Sequence, residues 1–94
     1  MPAAVVKAFL NPARLEAVLH MLARFGVGEV LVAGAVGLEE EGEGEMQARE
    51  RVAVEFRVAG EMAEEVLAAL LSAARTGRRG NDGKVFVLEE GGGE

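Results

Sequence analysis

The sequence predicts an α+β fold, one four-stranded antiparallel sheet with two helices on one face, and three observations carry that prediction. Short valine-rich apolar segments occur at Ala3–Leu10, Glu29–Val36, Arg51–Ala59 and Lys84–Leu88. Amphipathic stretches at helical spacing separate the first segment from the second and the third from the fourth. Asn-Pro and glycine mark the borders of the first such stretch, and glycines follow the second. The order is therefore β-α-β-β-α-β, the ferredoxin-like arrangement or split βαβ. Such a fold is silent on function by itself.

The first strand is apolar apart from Lys7. Asn11-Pro12 then starts a helix, Asn as N-cap and Pro as the first helical residue, whose missing N–H costs nothing there. Leu15, Val18, Leu19, Leu22 and Phe25 share one face, and Gly26 is the stop. His20 lies off that stripe and reads as a solvated surface residue. Gly28 leads into the second strand. From Gly37 to Glu50 glycine and glutamate dominate, which predicts a mobile loop, with Leu38–Glu50 as its body. The third strand alternates, Val52, Val54, Phe56 and Val58 against Arg51, Glu55 and Arg57. Met62, Val66, Leu67, Leu70, Leu71 and Ala74 form the stripe of the second helix. Glu90–Glu94 is expected to fray. Residues 1–94 thus make one domain, with Phe9, Phe25, Phe56 and Met62 expected in the core.

Composition removes several function classes. The chain has 94 residues, half of them apolar, and a formal net charge of −6. Nucleic-acid binding is not expected, because phosphate neutralisation supplies most of that affinity and there is no Trp or Tyr to stack on bases. No apolar run approaches a membrane span, and no secretory leader is visible, so the expected location is the cytoplasm. With no cysteine and a single histidine, no catalytic residue and no metal ligand is assigned. Glu39, Glu40, Glu41, Glu43 and Glu45 read as a solvated acidic face; their oxygens suit Mg²⁺ or Ca²⁺, but an EF-hand spacing is absent.

One stretch carries chemistry: Thr76-Gly77-Arg78-Arg79-Gly80-Asn81-Asp82-Gly83-Lys84-Val85-Phe86. Its glycines let backbone N–H groups approach an anion or take positive φ. Arg78, Arg79 and Lys84 supply charge complementary to phosphate, Arg as a fork and Lys as a point. A Walker A loop is excluded, since that lysine opens a helix and Lys84 opens a strand. Gly-Asn-Asp-Gly is also ordinary turn chemistry, so the loop alone leaves open a helix-to-strand turn with solvated arginines.

A second inference comes from patterning. A sheet with one solvated face should alternate, yet Val30-Leu31-Val32-Ala33 and Val85-Phe86-Val87-Leu88 are apolar on both faces. The second face is therefore expected to be covered by another copy of the chain.

The stretch at Thr76–Phe86 resembles the B-loop of the PII signal-transduction family, whose pattern is T-G-x-x-G-D-G-K-I/V-F, with Asn81 as one inserted residue. Lys7–Glu16 is similar to the family's first strand and helix start, with Asn11 in place of a lysine; Phe25-Gly26-Val27 and Val36-Gly37 are similar to two further borders. The resemblance implies a homotrimer with its sheets turned inward and an ATP/ADP site between subunits. It places Gly37, Arg51, Thr76, Gly77, Arg78, Arg79, Gly80, Asp82, Gly83 and Lys84 at that site, Arg51 where the family has a phosphate-reaching lysine. Leu38–Glu50 corresponds to the family's T-loop, which would touch a target transporter or enzyme. This T-loop is short and acidic and has no Tyr, and no arginine follows Arg79 where the family has a phosphate-clamping pair. Those differences point to a divergent PII-like regulator with ATP, ADP or AMP as its effector and no tightly bound cofactor, rather than to a nitrogen-regulatory protein proper. Two other readings of the residues are a small phosphate-handling enzyme of the acylphosphatase type and a structural oligomer without ligand. An acylphosphatase, however, carries its cradle after the first strand, where this chain has Asn-Pro.

Overall fold

The computed structural model describes residues 3–77 and 83–89. Its elements are β1 (Ala3–Leu10), a 3₁₀ turn (Pro12–Arg14), α1 (Leu15–Arg24), β2 (Leu31–Glu41), β3 (Glu45–Ala59), a second 3₁₀ turn (Gly60–Met62), α2 (Ala63–Ala74) and β4 (Lys84–Glu89). The strands form one antiparallel sheet in the order β2-β3-β1-β4. This is the ferredoxin-like β-α-β-β-α-β fold.

Strand alternation sorts the side chains. On β1, Ala4, Val6, Ala8 and Leu10 are buried under the helices, and they stand opposite Val58, Phe56, Val54 and Val52 of β3. Val18 and Leu22 of α1 and Val66, Leu70 and Ala74 of α2 close this layer from above. Fully burying a side chain such as Leu22 contributes about 1.5–3 kcal/mol, so these few residues hold the two layers together. The stripes follow the expected spacing except at Leu19, which does not join the core while Met21 does, and at Leu71, which is exposed. Phe9 also departs from expectation. It sits on the face of the sheet without helices, half-buried, its ring edge-to-face with Phe86 at 6.0 Å and under the Lys7 ammonium at 5.7 Å.

The helix borders obey local chemistry. Asn11 Oδ1 accepts a hydrogen bond from the Ala13 N–H at 2.9 Å, and Pro12 follows it as expected. One turn of 3₁₀ helix then precedes α1, so the α-helix proper starts at Leu15. At the other end Gly26 has φ +80°; its N–H donates to the Ala23 carbonyl and that of Val27 to the Leu22 carbonyl, a Schellman closure. Arg14 Nε donates to the Ala73 carbonyl at 2.9 Å, tying the start of α1 to the end of α2.

The loop expected at 38–50 is a β-hairpin, a correction to its secondary structure. The chain stays extended and paired throughout, with Gly37 opposite Arg49, Leu38 opposite Ala48 and Glu41 opposite Glu45. Only Gly42, Glu43 and Gly44 turn, both glycines at positive φ. The strands expected to end at Val36 and to begin at Arg51 are each several residues longer. The physical reason is that an antiparallel ladder satisfies its own backbone groups, so it extends without helix cover or a strongly apolar sequence. The tail at Glu90–Glu94 lies outside the described residues.

Candidate functional site

The C-terminal end of β1, the N-terminal end of β4 and the base of the β2–β3 hairpin meet at one end of the sheet. There they line a cleft of about 680 Å³ with Phe9, Val36, Gly37, Leu38, Glu39, Glu40, Arg51, Gly83, Lys84 and Phe86. That volume is in the range of small-molecule sites. Phe9 and Phe86 provide an apolar wall, and Arg51 and Lys84 provide positive charge.

Arg51 is the central side chain. Alternation puts it on the open face of β3, opposite Ala35, yet it is only 4% exposed. Its stem runs beside Gly37, where an added Cβ would touch Arg51 Cγ at 3.4 Å. Arg51 Nη2 donates to Glu39 Oε2 at 2.8 Å, and Arg49 Nε lies 3.1 Å from Glu39 Oε1. The hydrogen bond from Arg51 holds the Glu39 carboxyl below the usual glutamate range. Partial desolvation opposes that shift, and the charges of Arg51, Arg49 and Lys84 reinforce it.

Gly83 lines the cleft and also has a steric role in the fold. It stands at φ +92°, and a Cβ built there would lie 1.9 Å from the Phe9 carbonyl oxygen. Glycine is required because the backbone of this turn runs hard against the end of β1, which also fixes where Lys84 enters the sheet. This close approach is to the chain's own backbone, at the carbonyl of Phe9.

Of the residues expected at the site, Gly37, Arg51, Gly83 and Lys84 come together in the cleft. Thr76 and Gly77 follow α2, Gly77 at φ +80°, and do not line it. Arg78, Arg79, Gly80 and Asp82, with Asn81, lie outside the described residues. Glu39, Arg49, Phe9 and Phe86 were not singled out for the site. Recognising 37–50 as a hairpin would have exposed the first two, because alternation then places Gly37, Glu39, Arg49 and Arg51 on one face.

The sequence profile of the family described as nitrogen regulatory protein P-II matches residues 3–89. The chain belongs to the P-II family. No curated protein matches it in sequence. Among solved structures, the PII of Arabidopsis thaliana bound to citrate is 32% identical, with a TM-score of 0.74 over 93% of this chain and 76% of that one. The GlnK–ATP complex of B. subtilis superposes with a TM-score of 0.83 over 96% of this chain and 84% of that one, at 24% identity. The second likeness supports the fold, and the first agrees with the P-II assignment. P-II proteins are regulators, and no described helix of this member is long and apolar enough to cross a membrane.

Proposed function

We propose that this P-II protein is a cytoplasmic regulator that binds an adenine nucleotide in the cleft between β1, β4 and the β2–β3 hairpin. The observation that carries the reading is the convergence of Arg51 and Lys84, distant in sequence, on one concave site beside Gly37 and the Phe9–Phe86 wall. A buried guanidinium and an exposed ammonium lining a partly apolar cleft suit a ligand with a phosphate chain and a planar base. The B. subtilis relative is a complex with ATP, an agreement of ligand class. Thr76, Gly77, Arg78, Arg79, Gly80 and Asp82 approach the phosphates in this reading, from the loop before β4.

The protein acts as a homotrimer. Its subunits bury the open sheet face against one another and place the cleft at their junction. The hairpin at 38–50 contacts a target transporter or enzyme. The nucleotide regulates it by binding one hairpin conformation more tightly than another, a coupling of about 1–3 kcal/mol in typical cases. The acylphosphatase reading has no support from the turn after β1, where the Asn11 side chain caps a helix instead of leaving N–H groups free for phosphate.

Titration calorimetry of ATP, ADP and AMP tests the reading. Lys84→Ala should weaken the affinity for ATP by about 1.5–3 kcal/mol, the range for hydrogen bonds to a charged group. Equal affinity in a folded Lys84→Ala protein would show that the loop before β4 is only a turn.

A further inference from the structure

The guanidinium that should meet phosphate already holds an anion. Glu39 Oε2 accepts from Arg51 Nη2 at 2.8 Å, and its other oxygen lies 3.1 Å from Arg49 Nε. Glu39 itself lines the cleft, and Lys84 is close enough for its charge to act on the carboxylate. Arg51 is 4% exposed, so its guanidinium offers almost no open surface to a second anion. A phosphate brought alongside the carboxylate would also be repelled by it, more strongly in a cleft than in water.

We propose that Glu39 is a specificity-determining residue that acts as a built-in anion, so that a phosphate group engages Arg51 only by displacing the Glu39 carboxylate. The proposal rests on the nucleotide reading of the cleft. It sets a threshold for the ligand. A group with no more charge than one carboxylate gains little by exchanging with Glu39, whereas a polyphosphate brings several charges to Arg51 and Lys84 together. Displacement also reaches the hairpin, because Glu39 stands on β2 opposite Gln47 and its carboxylate ties β2 to Arg49 and Arg51 of β3. Ligand entry therefore removes a cross-strand contact from the element proposed to touch the target.

The experiment compares ATP and adenosine binding by calorimetry in the unaltered protein, Glu39→Gln, Glu39→Asp and Lys84→Ala. Gln keeps an acceptor for Arg51 but gives up the charge, so Glu39→Gln should bind ATP about tenfold more tightly or better, with adenosine unchanged. Asp keeps the charge but withdraws it by one methylene, so Glu39→Asp should fall between. In the unaltered protein, saturating ATP should shift the ¹³C signal of the Glu39 carboxyl, a readout that needs no variant to fold. Glu39→Gln binding ATP no better than the unaltered protein, or a carboxyl signal indifferent to ATP, overturns the proposal; the nucleotide reading stands if Lys84→Ala still weakens binding. ATP binding by none of the proteins overturns both.

Discussion

Gly83 shows how a single position can be required for a reason the sequence hides. Its missing side chain avoids a clash with the Phe9 carbonyl and permits φ +92°. Gly83→Ala should therefore destabilise the fold by more than about 1 kcal/mol, since both the space and the dihedral are wrong for a Cβ. Gly37→Ala is the contrast, because its nearest neighbour is the flexible Arg51 stem at 3.4 Å and φ there is not positive. Urea unfolding of the two variants checks this, and equal midpoints would refute the close approach at Gly83. Arg51 was readable as a polar strand residue, and only the resemblance to the P-II family suggested a phosphate contact for it. Its ion pair was not readable, because Glu39 is one of several neighbouring glutamates and only the register selects it.

The β2–β3 hairpin is the element where composition misled. Glycine and glutamate at 37–50 suggest a chain with too little apolar surface to offset its ordering entropy. The ladder from Leu31 through Glu41 forms nevertheless, and Gly42 and Gly44 supply the positive φ that a tight reversal needs. Its outer part remains unlike the rest of the sheet. Val36, Leu38 and Met46 lie on the helix side but are exposed, and no described helix covers them. Amide exchange should accordingly be faster across Glu39–Ala48 than across Val52–Val58, which is sealed under the core. Uniform protection along β3 would count against this division of the strand.

At the scale of the molecule the unbalanced feature is the sheet face without helices. Leu31, Phe86 and Leu88 point from it and are 60%, 48% and 58% exposed, beside Val5, Phe9 and Ala33. Apolar surface of this kind calls for a cover. In the proposed trimer three copies packed face to face provide one, in keeping with the doubly apolar strands. Leu88→Asp should then convert a trimer into smaller species, because each copy would bury an unpaired carboxylate at the junction. Light scattering at micromolar concentration measures the mass, and a monomeric unaltered protein would contradict the trimer.

Much of the fold was decided locally and so was legible in the residues. Strand alternation, two helical stripes, the Asn11 cap and the Gly26 stop are short-range effects, and each specified its element wherever the surrounding structure agreed. The cluster of Gly83 and Lys84 was legible for the same reason, as a turn entering a strand. Tertiary structure alone decided which of these pieces meet. Strand register put Glu39 on Arg51 instead of in solvent, pairing drew an acidic stretch into a hairpin, and the approach of β4 to β1 made Gly83 obligatory and stood Phe86 against Phe9. Contacts between residues far apart in the chain depend on how the layers stack, and no local pattern carries that information.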